Sequence, residues 1–436
     1  MIKGAINIFW FRRDLRLNDN AGLYHALKNN NPVLCLFIFD KAILNELEDK
    51  GDARVTFIYE TIIDLQQQLQ KHGSSLLVVY DDPAQAWGKL IENYTVASVY
   101  VNHDYEPYAK TRDEAIKVLL AKHNIELKSY KDQVIFEKDE VIKDDGKPYT
   151  VYTPYQRKWY QKLKPFYLKP YPTERYFNNF FKTKHLPVPA LNDIGFEKSA
   201  QEFPVKSYKN IIPHYAEKRD FPAVNGTSHM GLHLRFGTVS IRELASEAYQ
   251  SPEKTWLNEL IWREFYMMIL YHLPKTADHA FRPEYDRIRW VNDEEQFKAW
   301  CQGNTGFPLV DAGMRELNAT GYMHNRVRMV VASFLTKDLL IDWRWGERYF
   351  ARKLLDYEMA SNVGGWQWAA GCGTDAAPYF RIFNPDSQLK KFDPEFKYIK
   401  KWVPEYADFS KYPEPIIDHA FARERCLKVF KTALAG

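Results

Sequence analysis

The chain has 436 residues, too many for one ordinary hydrophobic core, so two domains are expected. Sixty Lys and Arg against 56 Asp and Glu leave a formal charge of +4, which excludes a polybasic coat but permits a local basic groove. Four scattered cysteines without a CxxC, an N-terminal apolar stretch too short for a signal peptide and no run of membrane-spanning length argue against a disulfide framework, a zinc site and a membrane protein, and favour a reducing, cytoplasmic setting.

In chain order, the apolar runs "INIFWF" (6–11), "VLCLFIF" (33–39), "SLLVVY" (75–80) and "SVYV" (98–101) read as strands. Helical patterns lie between and after them at 21–29, 52–72, 83–94 and 109–124. Buried strands alternating with helices predict an α/β domain over 1–132, built on a parallel Rossmann-like sheet covered on both faces. No G-x-G-x-x-G follows the first strand. The turn "WFRRDLRLNDN" carries Arg12, Arg13 and Arg16 instead, read either as a phosphate site or as partners of Asp14 and Asp19. Residues 133–210 lose any period, and "KPYTVYTPYQRKWYQKLKPFYLKPYP" reads as part of a long interdomain linker. From 211 to 436 the pattern is helical almost throughout, which predicts an all-α second domain.

Aromatic content is the anomaly. Twelve Trp, 28 Tyr and 27 Phe exceed what packing requires, and the tryptophans concentrate after residue 250, which suggests something planar to bind. In "WLNELIWREF", Leu257, Ile261 and Phe265 form the packing stripe, while Trp256, Glu259, Trp262 and Arg263 share another broad face. That face is either a site or a solvated Glu259–Arg263 pair. "MHNRVRM" groups His324, Asn325, Arg326 and Arg328; on a helix the two arginines diverge, and a buried one needs a carboxylate such as Asp356 or Glu358. A helix-capping charge cluster is the alternative. "NVGGWQW" (362–368) packs an amide, two glycines and two indoles into seven residues, fitting either close approach to a flat partner or a tight helix crossing stapled by Trp.

These stretches, with "RDFPAVNGTS", "GFPLVDAGMRELNATGY", "SFLTKDLLIDWRWGERYF" and "GTDAAPYFRIFNP", run in order along nearly the whole chain. Together they resemble the photolyase/cryptochrome family, and most of all class I cyclobutane pyrimidine dimer (CPD) photolyases. The resemblance implies an FAD-binding helical domain, UV-damaged DNA as partner, and light-driven electron transfer from reduced FAD to a flipped-out dimer. It implies cofactor contacts from Tyr215, Thr227, Ser228, His229, Met230, Gly231, Trp256, Arg328, Asp356, Tyr357, Glu358 and Asn362, the last as the amide facing flavin N5. Trp366, Trp343 and Trp290 match the family's electron-carrying tryptophans, and Glu259 matches the residue that hydrogen-bonds the dimer. Trp262, Trp368, Asn325 and Met329 match its pocket, and Arg219, Arg263, Arg326 and Arg381 match its phosphate contacts.

Two departures bear on this. The flavin loop ends Met230-Gly231 where the family usually has Leu-Ser, so backbone N–H must serve at Gly231. Tyr108-Ala109 stand where folate-using relatives tend to show Asn-Glu, so a deazaflavin or flavin antenna is expected over folate, with no antenna as the alternative. The alternatives are a cryptochrome-like light sensor and repair of (6-4) photoproducts. The short stretch after "KWVPE" disfavours the first, and Asn325 after His324 disfavours the second, whose relatives usually have His there. No membrane association or obligate protein partner is expected, and a monomer is.

Overall fold

The computed structural model describes residues 4–408 and 410–435. The chain divides into two compact units that do not follow consecutive segments of sequence. The first comprises Met1–Glu137, Leu163–Lys206 and Met230–Gln250; the second comprises Lys138–Lys162, Ser207–His229 and Ser251–Gly436. The stretch 133–210 is therefore shared between the units instead of lying between them. It includes a regular helix, Tyr152–Lys162, whose Tyr152, Tyr155 and Trp159 are buried.

The first unit is built on a five-stranded parallel sheet in the order β3-β2-β1-β4-β5, with β1 Ile6–Phe11, β2 Val33–Asp40, β3 Leu76–Asp81, β4 Val96–Asn102 and β5 Glu126–Tyr130. β1 and β2 are buried along their whole length, which is why their apolar runs do not alternate. Helices Ala21–Leu27, Ala53–Lys71, Pro83–Asn93 and Pro107–Ala121 make the crossovers at the expected places. Asn20, Asp52 and Asp82 cap the first three by accepting from backbone N–H groups. β5 escapes the sequence reading because "ELKSY" is a polar, partly exposed edge strand with no apolar run to mark it.

Winding reverses between β1 and β4, the position where open α/β sheets commonly bind ligands. Here the first turn is filled by ion pairs, though not the expected ones. Arg12 pairs with Asp113 at 2.6 Å, Arg13 with Asp104 and Glu106 at 3.2 and 3.1 Å, and Arg16 with Asp132 at 2.6 Å. Asp14 instead accepts from the Arg12 backbone N–H, and Asp19 pairs with Arg242. The carboxylates that win come from segments following β4 and β5, which the parallel sheet brings to the same end.

The second unit is helical. Thr255–His272 buries Leu257, Ile261 and Phe265 completely, each contributing about 1.5–3 kcal/mol of apolar burial. Asn325–Ser333 is capped by His324, whose Nδ1 accepts from Arg326 N–H. After Ser333 the chain widens into a π turn, Phe334–Asp338. That turn buries Lys337, whose Nζ donates to the carbonyls of Ala370 and Tyr379. Trp343–Lys353 and Met359–Ala370 follow, the latter ended by Gly371 in the left-handed conformation at φ +85°. Among the described residues, no helix is long and apolar enough to cross a membrane.

Candidate active site

"NVGGWQW" lies in the Met359–Ala370 helix, and its two glycines have separate tasks. A Cβ on Gly364 would stand 2.3 Å from the Tyr266 ring, so that glycine admits the Thr255–His272 helix to close contact. A Cβ on Gly365 would meet nothing within 4 Å, because Gly365 borders a cavity of about 390 Å³. The volume is in the usual range for a cofactor or ligand site. Trp366 turns away from solvent, 2% exposed, with its ring across Gly346.

Several parts of the second unit line this cavity. The Thr255–His272 helix supplies Glu259, Trp262, Arg263 and Tyr266. The Asn325–Ser333 helix supplies Asn325, Arg328 and Met329. Asp356, Tyr357 and Glu358 follow from the connection before the glycine-bearing helix, which adds Asn362, Gly365, Trp366 and Trp368. Arg219 completes the wall.

The charges are arranged in crossing pairs. Glu259 does not pair with Arg263 along its own helix. It accepts from Arg219, while Arg263 approaches Glu358 at 3.4 Å. Burial pushes the Glu259 carboxyl above the usual range, and Arg219 reverses only part of that rise. Arg328 donates to both oxygens of Asp356, at 3.1 and 2.9 Å. Arg326, two residues away, points elsewhere: it pairs with Asp220 at 2.8 Å and packs over Phe392, outside the cavity lining. The divergence expected of an i, i+2 pair is present.

Asn362 is held by a residue absent from the sequence reading. Its Nδ2 donates to the Glu347 carbonyl at 3.1 Å and to Glu347 Oε1 at 3.0 Å, which leaves the amide oxygen as the acceptor available to the cavity. Burial raises the Glu347 carboxyl, with the bonds from Asn362 and Tyr357 working against the rise. Nothing in "WRWGERYF" distinguishes this Glu from a surface one; only the packing of two helices does.

Tyr322 is a second omission. Its hydroxyl lies 3.1 Å from Thr227 Oγ1, His229 packs on its ring at 4.2 Å with a backbone φ of +52°, and Arg328 lies over the ring. It thereby joins the Thr227–His229 loop, including Ser228, to the Arg328–Asp356 pair. Tyr215 lies under the Arg219 guanidinium.

The remaining expected residues stand apart from the cavity lining. Trp256 is buried and stacked on Tyr208, with planes 7° apart. Met230 is buried and Gly231 opens the helix Gly231–Phe236, both in the first unit. Trp343 is buried and Trp290 half-buried in the same apolar cluster as Trp366. The ring neighbours of Trp366 include Phe350 at 5.0 Å and Trp300 at 6.0 Å. Arg381 is exposed on the loop beyond Trp368. No metal-ligating cluster occurs among the described residues.

A sequence-family profile described as DNA photolyase matches residues 7–175, and one described as the FAD binding domain of DNA photolyase matches 256–411. The deoxyribodipyrimidine photo-lyase of Alkalihalophilus pseudofirmus is 36% identical, with 98% of each chain covered. That of Escherichia coli is also 36% identical, with 99% of each covered. Among solved structures, a bacterial class III photolyase from Agrobacterium tumefaciens superposes with a TM-score of 0.88 at 31% identity, covering 100% of this chain and 99% of that one. An archaeal photolyase from Sulfolobus tokodaii, described with two FAD molecules and a novel light-harvesting cofactor, gives 0.83 at 34% identity, covering 98% and 99%.

Proposed function

The chain belongs to the DNA photolyase family, and from that premise we propose that its helical unit binds FAD in this cavity and uses light to split cyclobutane pyrimidine dimers in DNA. The observation that carries the assignment is the fixed Asn362 amide, its oxygen left to a cavity that Trp262, Trp368 and Glu259 also line. Gly365 leaves room for a flat ring there, and the Arg328–Asp356 pair supplies a charged edge beside it. These features fit a flavin.

When bound and reduced, FAD supplies a donor that light makes strong enough to inject one electron into the dimer. The residues do the rest. Asn362 accepts a hydrogen bond from the ring, and Glu347 keeps that amide from rotating. The Thr227, Ser228 and His229 loop holds the diphosphate, with Tyr322 bracing it. Trp262 and Trp368 give the extruded dimer an apolar wall, and extrusion costs less for a damaged, poorly paired site. Glu259 hydrogen-bonds the pyrimidine edge, at a position where burial works against its charge and Arg219 works for it. Asn325 and Met329 close the pocket. Arg263, Arg326 and Arg381 contact phosphates around the lesion, so affinity falls with salt. Trp366, with Trp343 and Trp290, passes electrons inward to restore the reduced cofactor.

The first unit carries a second, light-collecting chromophore of flavin or deazaflavin type. "DYEPY" supports this reading over folate, and the two FAD molecules of the Sulfolobus relative agree with it. The enzyme acts as a cytoplasmic monomer. The deciding experiment illuminates the reduced protein with CPD-containing and (6-4)-containing DNA in parallel. Loss of CPDs alone is expected; intact CPDs under blue light would remove the assignment.

A further inference from the structure

Trp262 has two ring faces, and one is already taken. Tyr152 stacks on it with ring centroids 3.7 Å apart and planes 8° from parallel. This is the closest aromatic pair around the cavity, and it comes from the stretch that reads as linker. Tyr152 is 7% exposed and its hydroxyl donates to the Asn258 carbonyl at 2.9 Å, one turn before Trp262 on the same helix. Trp262 is therefore gripped through both its ring and its helix backbone.

The same segment also reaches the loop beyond Trp368. Tyr152 N–H donates to Asp375 at 3.2 Å, and the Thr150 carbonyl accepts from Thr374 Oγ1 at 2.6 Å. Residues 374 and 375 follow directly from the helix that carries Trp368. The Thr150–Tyr152 segment thus touches the supports of both indoles proposed to flank the dimer. Its own helix does not depend on that stack for anchorage, because Trp159 Nε1 and the Tyr155 hydroxyl both donate to the buried Glu264, at 2.6 and 3.3 Å.

We infer that Tyr152 is a positioning residue for substrate recognition: it holds the Trp262 indole at the angle at which its cavity-lining side meets an extruded pyrimidine dimer. This rests on the reading of Trp262 as a wall of the dimer pocket. An indole without a backing ring rotates about its side-chain torsions, and ordering it on binding costs affinity. Aromatic pairs contribute about 0.5–1.5 kcal/mol beyond their burial, which corresponds to a few-fold to about tenfold in binding.

The test is a double-mutant cycle on the FAD-loaded full-length enzyme, measuring dark binding of CPD-containing duplex DNA and repair quantum yield at saturating DNA. Tyr152→Leu is expected to raise Kd about fivefold to tenfold while FAD content, flavin absorption and saturating quantum yield stay at wild-type values. Tyr152→Phe, which keeps the stack, is expected to restore Kd to within twofold. In a Trp262→Ala background, Tyr152→Leu is expected to add less than twofold. Equal losses in both backgrounds, or a loss of FAD with Tyr152→Leu, would show a role in folding only and overturn the inference. Unchanged binding by Trp262→Ala would instead remove the pocket reading itself, and the inference with it. Weak binding by Trp262→Ala with normal binding by Tyr152→Leu would overturn the inference alone.

Discussion

Two polar regions of this protein look alike in sequence and behave oppositely in structure. At the switch point of the sheet, Arg12, Arg13 and Arg16 are neutralised by Asp113, Asp104, Glu106 and Asp132, and Asn102 bonds to Asp14 and Asn20. In the helical unit, Glu259, Arg263, Arg328 and Asn362 also have partners, yet all of them border open space. Paired polar groups in a packed interior specify structure. Groups held in place while an acceptor or an edge faces a cavity specify a ligand.

The contrast can be broken at either end. The largest effect is expected at Trp366: Trp366→Phe should slow photoreduction of oxidised FAD by about a hundredfold or more, since indole is the more easily oxidised side chain. Chemically pre-reduced enzyme should still repair dimers. Normal photoreduction in flash spectroscopy would remove Trp366 from the path.

Next is Glu259. Glu259→Ala should reduce the repair quantum yield about tenfold with FAD retained, whereas Glu259→Gln, which keeps a donor, should retain most of it. Equal yields for the two variants would show that no donor is needed there. In the sheet, Arg12→Met should cost about 1–3 kcal/mol of stability, because it removes the bonds of a buried guanidinium to Asp113, which keeps Arg112, and to the Asn102 carbonyl. It should leave repair by the folded fraction intact. A specific repair defect in Arg12→Met would contradict the division of labour drawn above.

The two glycines sharpen the comparison within one helix. Gly364→Ala should destabilise through its clash with Tyr266, while Gly365→Ala should add about 0.5–1 kcal/mol to the stability of the cofactor-free protein. The Gly365 variant should pay for that gain with weaker FAD binding; thermal melts with and without FAD separate the two. The smallest effect concerns pH. Burial, helped by Arg328, lowers His324 to about 4, against about 6.5 in the unfolded chain. The unfolded state therefore takes up the proton first, and stability is lost as pH falls from about 6.5 through 4. His324→Asn keeps a capping side chain and should flatten that part of the pH–stability curve. An unchanged slope would mean that His324 does not contribute to it.

Much of the architecture was legible because it rests on local periodicity. Four strands, their crossover helices and the packing stripe Leu257, Ile261 and Phe265 follow from runs of apolar residues whose spacing matches one element. The edge strand β5 and the π turn after Ser333 did not show, since neither leaves an apolar period of its own. The helix at Tyr152–Lys162 was hidden in a stretch dense in Pro, Tyr and Lys that masks its three buried aromatics.

For the site, the sequence by itself determined which side chains were present and, through family resemblance, which of them to expect in a site for light-driven repair. Only the tertiary structure decided who pairs with whom: Glu259 with Arg219 and not Arg263, Asn362 with Glu347, Trp262 with Tyr152. The reason is physical. Helical spacing dictates which face a residue occupies, but the partner on that face arrives from distant sequence. Its identity depends on how closely two helices approach, which here a single missing Cβ at Gly364 permits.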